Sequence, residues 1–321
     1  MDLIGLLCVL LCAALLMTGC MPAYKPFESG PSESGPSDYV GPTESTPTEP
    51  PVLNEAPPKS LKVLAIGGSF SMDAMQYLYQ IAEEAGVEEI VLGNLFYGGG
   101  SLSSHLTCAK EDSPSYDFYK NTDGSWQLNK EYRISQALVE EEWDYITFQQ
   151  VSGYSGISSS YDTLAELMDY VQERNSTAKL VWHMTWAYQA DSTHEDFPRY
   201  DNDQQKMYSQ IVDCVQQCVL PDERIAFVIP AGTAIQNART SFIGDTLTRD
   251  GFHLDKQIGR YVAGLTWYAA ITRAPIDGIT FNPSKMTISE DMLAVAREAA
   301  ENAVATPYAV TQSEIIQSEQ P

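Results

Sequence analysis

Leu61-Lys62-Val63-Leu64-Ala65-Ile66-Gly67-Gly68-Ser69-Phe70-Ser71 runs an apolar strand into a glycine turn that carries a serine. Glycine admits backbone conformations that a side chain disfavours. A helix that starts after such a turn offers free N–H groups and the positive end of its dipole, which suit a developing oxyanion. A serine placed there can act as a nucleophile. The same serine, or Ser71, can equally serve as a helix cap. Gly67-Gly68 is not a dinucleotide fingerprint, because G-x-G-x-x-G is absent.

Outward from this turn, short apolar runs recur at 89–92, 144–148, 179–183 and 225–229. Segments of helical period fall at 72–85, 134–141, 161–174, 204–219, 256–271 and 289–305. Short strands alternating with helices predict βαβ units. The expected fold class is therefore α/β, a three-layer α/β/α sandwich around a five-stranded parallel sheet. Sites in such sheets form at the carboxyl ends of the strands. Ser69, Gln149 and Trp186 each come just after a predicted strand and so share that edge. Residues 116–128 read as a β-hairpin turning at Asp123-Gly124. This insertion either covers the site or is a plain surface hairpin.

A second segment, Thr248-Arg249-Asp250-Gly251-Phe252-His253-Leu254, lies about 180 residues downstream. It puts a carboxylate three residues before a histidine. At that spacing both side chains lie on one face of a turn, so Asp250 can hold one ring nitrogen and direct the other at Ser69. Asp250 as a turn residue and His253 as a surface histidine are the plain readings of each alone. Their position on the same edge as Ser69 favours a nucleophile–base–orienter set. His105, after the glycines at 98–100, is a rival base or pocket residue. His183 is expected in the core, and His194 in an exposed polar loop.

The rest of the chain sets bounds. Residues 3–17 are an apolar run too short for a comfortable membrane span, and suit the h-region of a signal peptide. Residues 21–60 repeat Ser-Gly-Pro and are rich in Pro, Thr and Glu, which predicts a disordered, semi-extended linker. The domain is expected over 61–305, with a flexible tail over 306–321. A formal net charge of −24 argues against nucleic acid and anionic lipid as partners. Cys214 and Cys218 are spaced i,i+4 on a predicted helix, a poor geometry for a disulfide. No Cys/His cluster has zinc spacing.

Several of these stretches resemble known patterns. Met17-Thr18-Gly19-Cys20 resembles a bacterial lipobox, although no Lys or Arg precedes the apolar run. It implies signal cleavage before Cys20 and a membrane anchor through lipid on Cys20. Gly67-Gly68-Ser69-Phe70-Ser71 resembles the first block of the SGNH, or GDSL-like, hydrolase superfamily, and Asp250-Gly251-Phe252-His253 its last. Asn94-Leu95-Phe96-Tyr97-Gly98-Gly99-Gly100-Ser101-Leu102 is similar to the second block. Residues 143–150 are similar to the strand leading into the third. The resemblance spans Leu61 to about Ala270, and points to a branch that often carries lipoprotein signals. Two positions depart from the pattern: Gly68 replaces the Asp of Gly-Asp-Ser, and the third block lacks Gly-x-Asn-Asp.

The resemblance implies a flavodoxin-like fold and hydrolysis of acyl esters by a Ser69–His253–Asp250 triad, with no metal or organic cofactor. It implies an oxyanion hole of the Ser69 N–H, a backbone N–H at Gly99 or Gly100, and a glutamine amide. A glutamine plays that part in the related sialate and xylan acetylesterases. Strand alternation lets only one of Gln149 and Gln150 face the site, and Gln149 is preferred. Tyr97, His105, Gln150, Trp186 and Tyr188 are the expected pocket residues, their aromatic faces suited to a sugar ring. The expected substrate is a glycan or small-molecule ester, with O-acetyl groups on carbohydrate favoured over lipid esters. A surface carbohydrate-binding lipoprotein that has lost activity is the alternative.

Overall fold

The computed structural model describes Asn54 and residues 56–318. The expected signal segment, Cys20 and nearly all of the linker lie outside the described residues.

The strand that carries the glycine turn lies in the middle of the sheet. β1 (Ser60–Gly67) has Val63, Leu64, Ala65 and Ile66 all buried. A strand covered on both faces reads as a continuous apolar run, not an alternating one. It pairs in parallel with β2 (Glu89–Phe96) on one side and β5 (Tyr145–Phe148) on the other. β6 (Lys179–His183) and β7 (Ile225–Ile229) extend the parallel set beyond β5.

Among the described residues the sheet has seven strands and is mixed, in the order β4 (Trp126–Tyr132), β3 (Tyr116–Asn121), β2, β1, β5, β6, β7. This corrects the expected five-stranded parallel sheet. The five anticipated strands are present and parallel. The predicted hairpin, β3 (Tyr116–Asn121) and β4 (Trp126–Tyr132), adds two antiparallel strands beyond β2. Its pairing is legible only in three dimensions. Phe118, fully buried opposite Leu95, is what docks the hairpin onto β2. The insertion therefore continues the sheet and does not close over the site.

Helices fall into two packed groups. α1 (Ser69–Met75), α2 (Leu78–Glu84), α7 (Ala231–Arg239), α8 (Ile258–Thr272) and α9 (Glu290–Ala305) pack together, with α8 central. α8 is buried at every position but Arg260, as expected of a helix apolar all round. α3 (Leu102–Lys110), α4 (Ile134–Glu140) and α5 (Leu164–Arg174) form the second group. α6 (Gln204–Cys214) passes at its end into a π-turn over Val215–Val219.

The predicted helix over 72–85 is two helices broken at Gln76-Tyr77. Helical periodicity runs through both, so the pattern hides the break. α3 and α7 escaped prediction because Ser, Thr, Gly and Asn weaken local propensity. Burial of all nine residues offsets that weakness in α7, and the Ser101 cap on the Ser104 N–H does so in part in α3.

The stretch expected as a flexible tail is tied back to the domain. Asn237 and Thr240 accept the Thr311 and Ser313 N–H groups, and Glu298 accepts that of Glu314. Val310 and Ile315 pack against the core. Cys108, Cys214 and Cys218 are free thiols. Among the described residues no helix is long and apolar enough to cross a membrane.

Candidate active site

The chain leaves β1 toward β2 on one side and later returns through β5 on the other. That reversal makes the carboxyl ends of β1 and β5 a topological switch point, where open α/β sheets form their clefts. Ser69 is the first residue of α1, directly after β1. Its N–H is one of the helix-start donors with no intrahelical partner.

Gly68 makes the tight approach possible. A Cβ built there would stand 2.9 Å from the Tyr97 carbonyl oxygen, so the turn after β1 and the turn after β2 touch through backbone. The Tyr97 N–H donates to the Gly67 carbonyl at 2.9 Å. This accounts for glycine where the resembling pattern has aspartate.

The distal segment folds into a narrow loop closed by the Thr248–Leu254 bridge, with the Arg249 N–H donating to the His253 carbonyl. Gly251 sits at φ +90, a left-handed conformation that favours glycine, and a Cβ there would stand 2.9 Å from Ser192 Oγ. The turn brings both expected partners to Ser69. His253 Nε2 lies 2.9 Å from Ser69 Oγ, and His253 Nδ1 lies 2.8 Å from Asp250 Oδ2. Asp250 Oδ1 also accepts the His253 N–H at 2.8 Å. Partial burial works to raise the Asp250 pKa. The His253 ring and the His253 and Phe252 N–H groups outweigh it and hold the carboxyl below its ordinary value.

Two supports behind this line were not anticipated. Asp73, one turn along α1, is buried and accepts the Leu254 N–H at 2.9 Å. It pairs with Arg249 at 3.0 Å and with Arg260 of α8 at 2.6 Å. Trp186 lies flat on Phe70, with ring centroids 4.2 Å apart and planes 6° apart, and donates its indole N–H to the Phe252 carbonyl.

A cavity of about 560 Å³ opens onto Ser69 and His253. Tyr97, Gly99, Gly100 and Gln149 line it, as expected. The Gly100 N–H donates to the Tyr97 carbonyl at 3.0 Å. Among the described residues the Gly99 N–H has no such partner. Gln149 Oε1 lies 3.1 Å from His183 Nδ1. A larger cleft of about 660 Å³ sits at the opposite ends of the strands, among Ser60, Lys62, Asp144 and Lys179, away from Ser69.

Four expected pocket residues do not line the cavity. Gln150 is consumed by structure: Oε1 accepts the Leu102 and Val151 N–H groups, and Nε2 donates to Ser160. His105 is fully buried against Tyr116, with Nδ1 2.9 Å from its hydroxyl, and burial pushes its pKa down to about 4. Trp186 and Tyr188 are fully buried behind the cavity, where they support its wall. Tyr188 does so through a 2.9 Å contact between its hydroxyl and Ser152 Oγ. An aromatic ring after a strand suits a core as well as a pocket, and the core holds Trp186 and Tyr188.

The cavity also takes residues the sequence did not single out: Phe96, Ser152, Tyr154, Glu195, Asp196 and Phe252. Ser152 and Tyr154 follow β5 closely, so their place on this edge was open to inference. His194 lines the cavity too, with Phe252 4.5 Å from its ring, where an exposed loop was expected. It lies in a long loop after β6, and no spacing rule reaches it.

Residues 62–303 match the family described as "Domain of unknown function (DUF4886)", and the chain belongs to that family. It is similar to the crystal structure of a DUF4886 family protein from Bacteroides uniformis, at 43% identity and a TM-score of 0.76. That match covers 79% of this chain and 98% of the other. A protein from Slackia heliotrinireducens, proposed to be an SGNH hydrolase, is similar at 16% identity and a TM-score of 0.43, over 65% and 97% of the two chains. A family 3 carbohydrate esterase from Clostridium thermocellum is similar at 13% identity and a TM-score of 0.40, over 65% and 94%. Among curated proteins none matches.

Proposed function

We propose that this protein is a serine esterase that hydrolyses acyl esters through a covalent intermediate. One observation carries the reading: Ser69, His253 and Asp250 stand in hydrogen-bonded line at 2.9 and 2.8 Å, with Ser69 at the start of a helix and both Ser69 and His253 in the wall of a cavity. In this reading Ser69 Oγ attacks the ester carbonyl while His253 Nε2 takes its proton. Asp250 holds the ring in the tautomer that leaves Nε2 free to accept and stabilises the imidazolium. The protonated His253 then gives its proton to the leaving alcohol. Water enters, His253 activates it, and the acyl group leaves as the acid.

The developing oxyanion is met by the Ser69 N–H, the Gly99 N–H and the Gln149 amide. Gly99 is favoured over Gly100, whose N–H is already bonded to the Tyr97 carbonyl. Gln149 is favoured over Gln150, whose amide is fully engaged elsewhere. Loss of one such donor costs about 10²–10³ in turnover.

For the substrate, the reading favours a short acyl group, O-acetyl foremost, on a neutral alcohol such as a sugar. Phe96, Tyr97, Tyr154 and Phe252 offer faces for a ring. Among the described residues Glu195 and Asp196 lie in the wall and no Lys or Arg does; Arg199 pairs with Asp196 from outside it at 2.8 Å, and the remaining Glu195 charge disfavours anionic esters. Lipid on Cys20 would hold such an enzyme at a membrane on the extracytoplasmic side.

The test is hydrolysis of a panel of p-nitrophenyl esters and acetylated sugars by the wild type and Ser69→Ala. Short esters should turn over and Ser69→Ala should lose the activity. Turnover that Ser69→Ala leaves unchanged would sink the serine mechanism. Glycan binding without hydrolysis would point to a binding protein.

A further inference from the structure

His183 is a buried histidine that the triad does not use. It ends β6, and its Nδ1 lies 3.1 Å from Gln149 Oε1. Its other ring nitrogen, Nε2, is buried and has no hydrogen-bond partner among the described residues. The Trp267 ring stands edge-on to the imidazole with centroids 4.9 Å apart, and Trp186 packs at 6.1 Å. Space for the glutamine comes from Gly67, where a Cβ would stand 3.1 Å from both Gln149 Cδ and Oε1.

A glutamine amide can be turned two ways, and only one puts a donor toward the oxyanion. With Oε1 on the imidazole, Nε2 of Gln149 is left for the cavity. With Nε2 on the imidazole, the carbonyl oxygen would face the site and repel a developing negative charge. We propose that His183 is a positioning residue that donates its Nδ1–H to Gln149 Oε1 and thereby turns the Gln149 amide donor toward the reacting carbonyl. The inference rests on the oxyanion role assigned to Gln149 above.

Two physical points support this setting. The reverse pairing would require the Nε2–H tautomer of His183, and so an N–H donor buried with no acceptor. Orphaned buried N–H groups are rarer than under-used acceptors. Burial also drives the His183 pKa down to about 3, so the ring stays neutral over the working pH range and keeps one donor and one bare nitrogen. A neutral donor orients the amide without adding a charge that would compete with the proton transfers at His253.

Steady-state kinetics on p-nitrophenyl acetate test this, with thermal melts to show that each variant is folded. His183→Leu should lower kcat by about tenfold or more, bounded by the 10²–10³ loss expected of Gln149→Ala. Its KM should move less than about twofold, because the donor acts on the transition state. His183→Asn should recover most of the loss, since an Asn Nδ2 reaches the place of the imidazole Nδ1. In a Gln149→Ala background, His183→Leu should cost nothing further.

An unchanged kcat in a folded His183→Leu, no rescue by asparagine, or multiplicative losses in the double variant would each overturn the proposal. A second measurement needs no variant. The imidazole ¹⁵N spectrum of the wild type should show His183 protonated at Nδ1 and bare at Nε2, and the opposite tautomer would overturn the proposal whatever the kinetics. Turnover independent of Ser69 would instead overturn the esterase reading, and this inference with it.

Discussion

Asp73 accepts the backbone N–H of Leu254 at 2.9 Å, and so joins the helix that carries Ser69 to the residue next to His253. The two catalytic candidates come from segments about 180 residues apart in sequence. Their distance is set by this carboxylate, by the Arg249 and Arg260 guanidinium groups that neutralise it, and by Trp186 laid between Phe70 and Phe252. A buried charge removed from such a set leaves its partners unpaired.

Asp73→Asn is therefore expected to destabilise the fold by about 3–5 kcal/mol. A urea melt measures it. Activity should fall further than the folded fraction does, because a small displacement of the base from the nucleophile is costly, on the order of 10² in rate per ångström.

Trp186→Phe separates the two jobs of that residue. The shorter ring can still stack on Phe70, but the hydrogen bond to the Phe252 carbonyl is lost. The expected cost is about 1 kcal/mol of stability, with kcat reduced more than KM is raised. Equal melts and equal kinetics would show that the indole N–H contributes nothing to the loop.

Gly68→Asp restores the residue of the resembling pattern and is expected to lower activity. The new Cβ would meet the Tyr97 carbonyl at 2.9 Å, and backbone on both sides must shift to admit it. Both the Ser69 and Gly99 N–H groups sit on those two turns, so the loss should appear in kcat.

Stability should fall as pH drops from the ordinary histidine value of 6.5 toward 4. His105 and His183 are buried and neutral, with pKa values lowered to about 4 and about 3. The unfolded chain takes up their protons near 6.5 while the fold resists until much lower pH. Their stabilising difference is thus full above 6.5 and erodes below it. Melts at a series of pH values should show this slope, and His105→Phe should flatten it. Asp250 acts lower: its folded pKa lies below 3.8, so its contribution is full above that value and is lost as pH falls through the folded pKa. The gap in Tm between wild type and Asp250→Asn should close over that acidic range.

Much of this site is legible in the amino-acid sequence. The apolar run of β1, the glycine turn and the i,i+3 spacing of Asp250 and His253 are local features, and local chemistry decided them. Strand alternation limits the choice to one of Gln149 and Gln150 without saying which; Gln149 lines the cavity, whereas Gln150 is bonded to Leu102, Val151 and Ser160. What stayed hidden depends on contacts far apart in sequence. Phe118 docking a hairpin onto β2, Asp73 reaching Leu254, and Trp186 turning inward onto Phe70 leave no periodic trace. Trp186 and Tyr188 were misplaced because an aromatic residue after a strand satisfies a pocket and a core equally well on pattern alone.

The proposed chemistry requires Ser69 to be a nucleophile activated by His253. Intact-mass spectrometry after exposure to an alkyl phosphonate ester tests it most directly. A single phosphonyl adduct should form and map to Ser69, be absent in Ser69→Ala, and form far more slowly in His253→Ala. An unmodified wild type, or an adduct that persists in Ser69→Ala, would show that Ser69 is not the activated nucleophile.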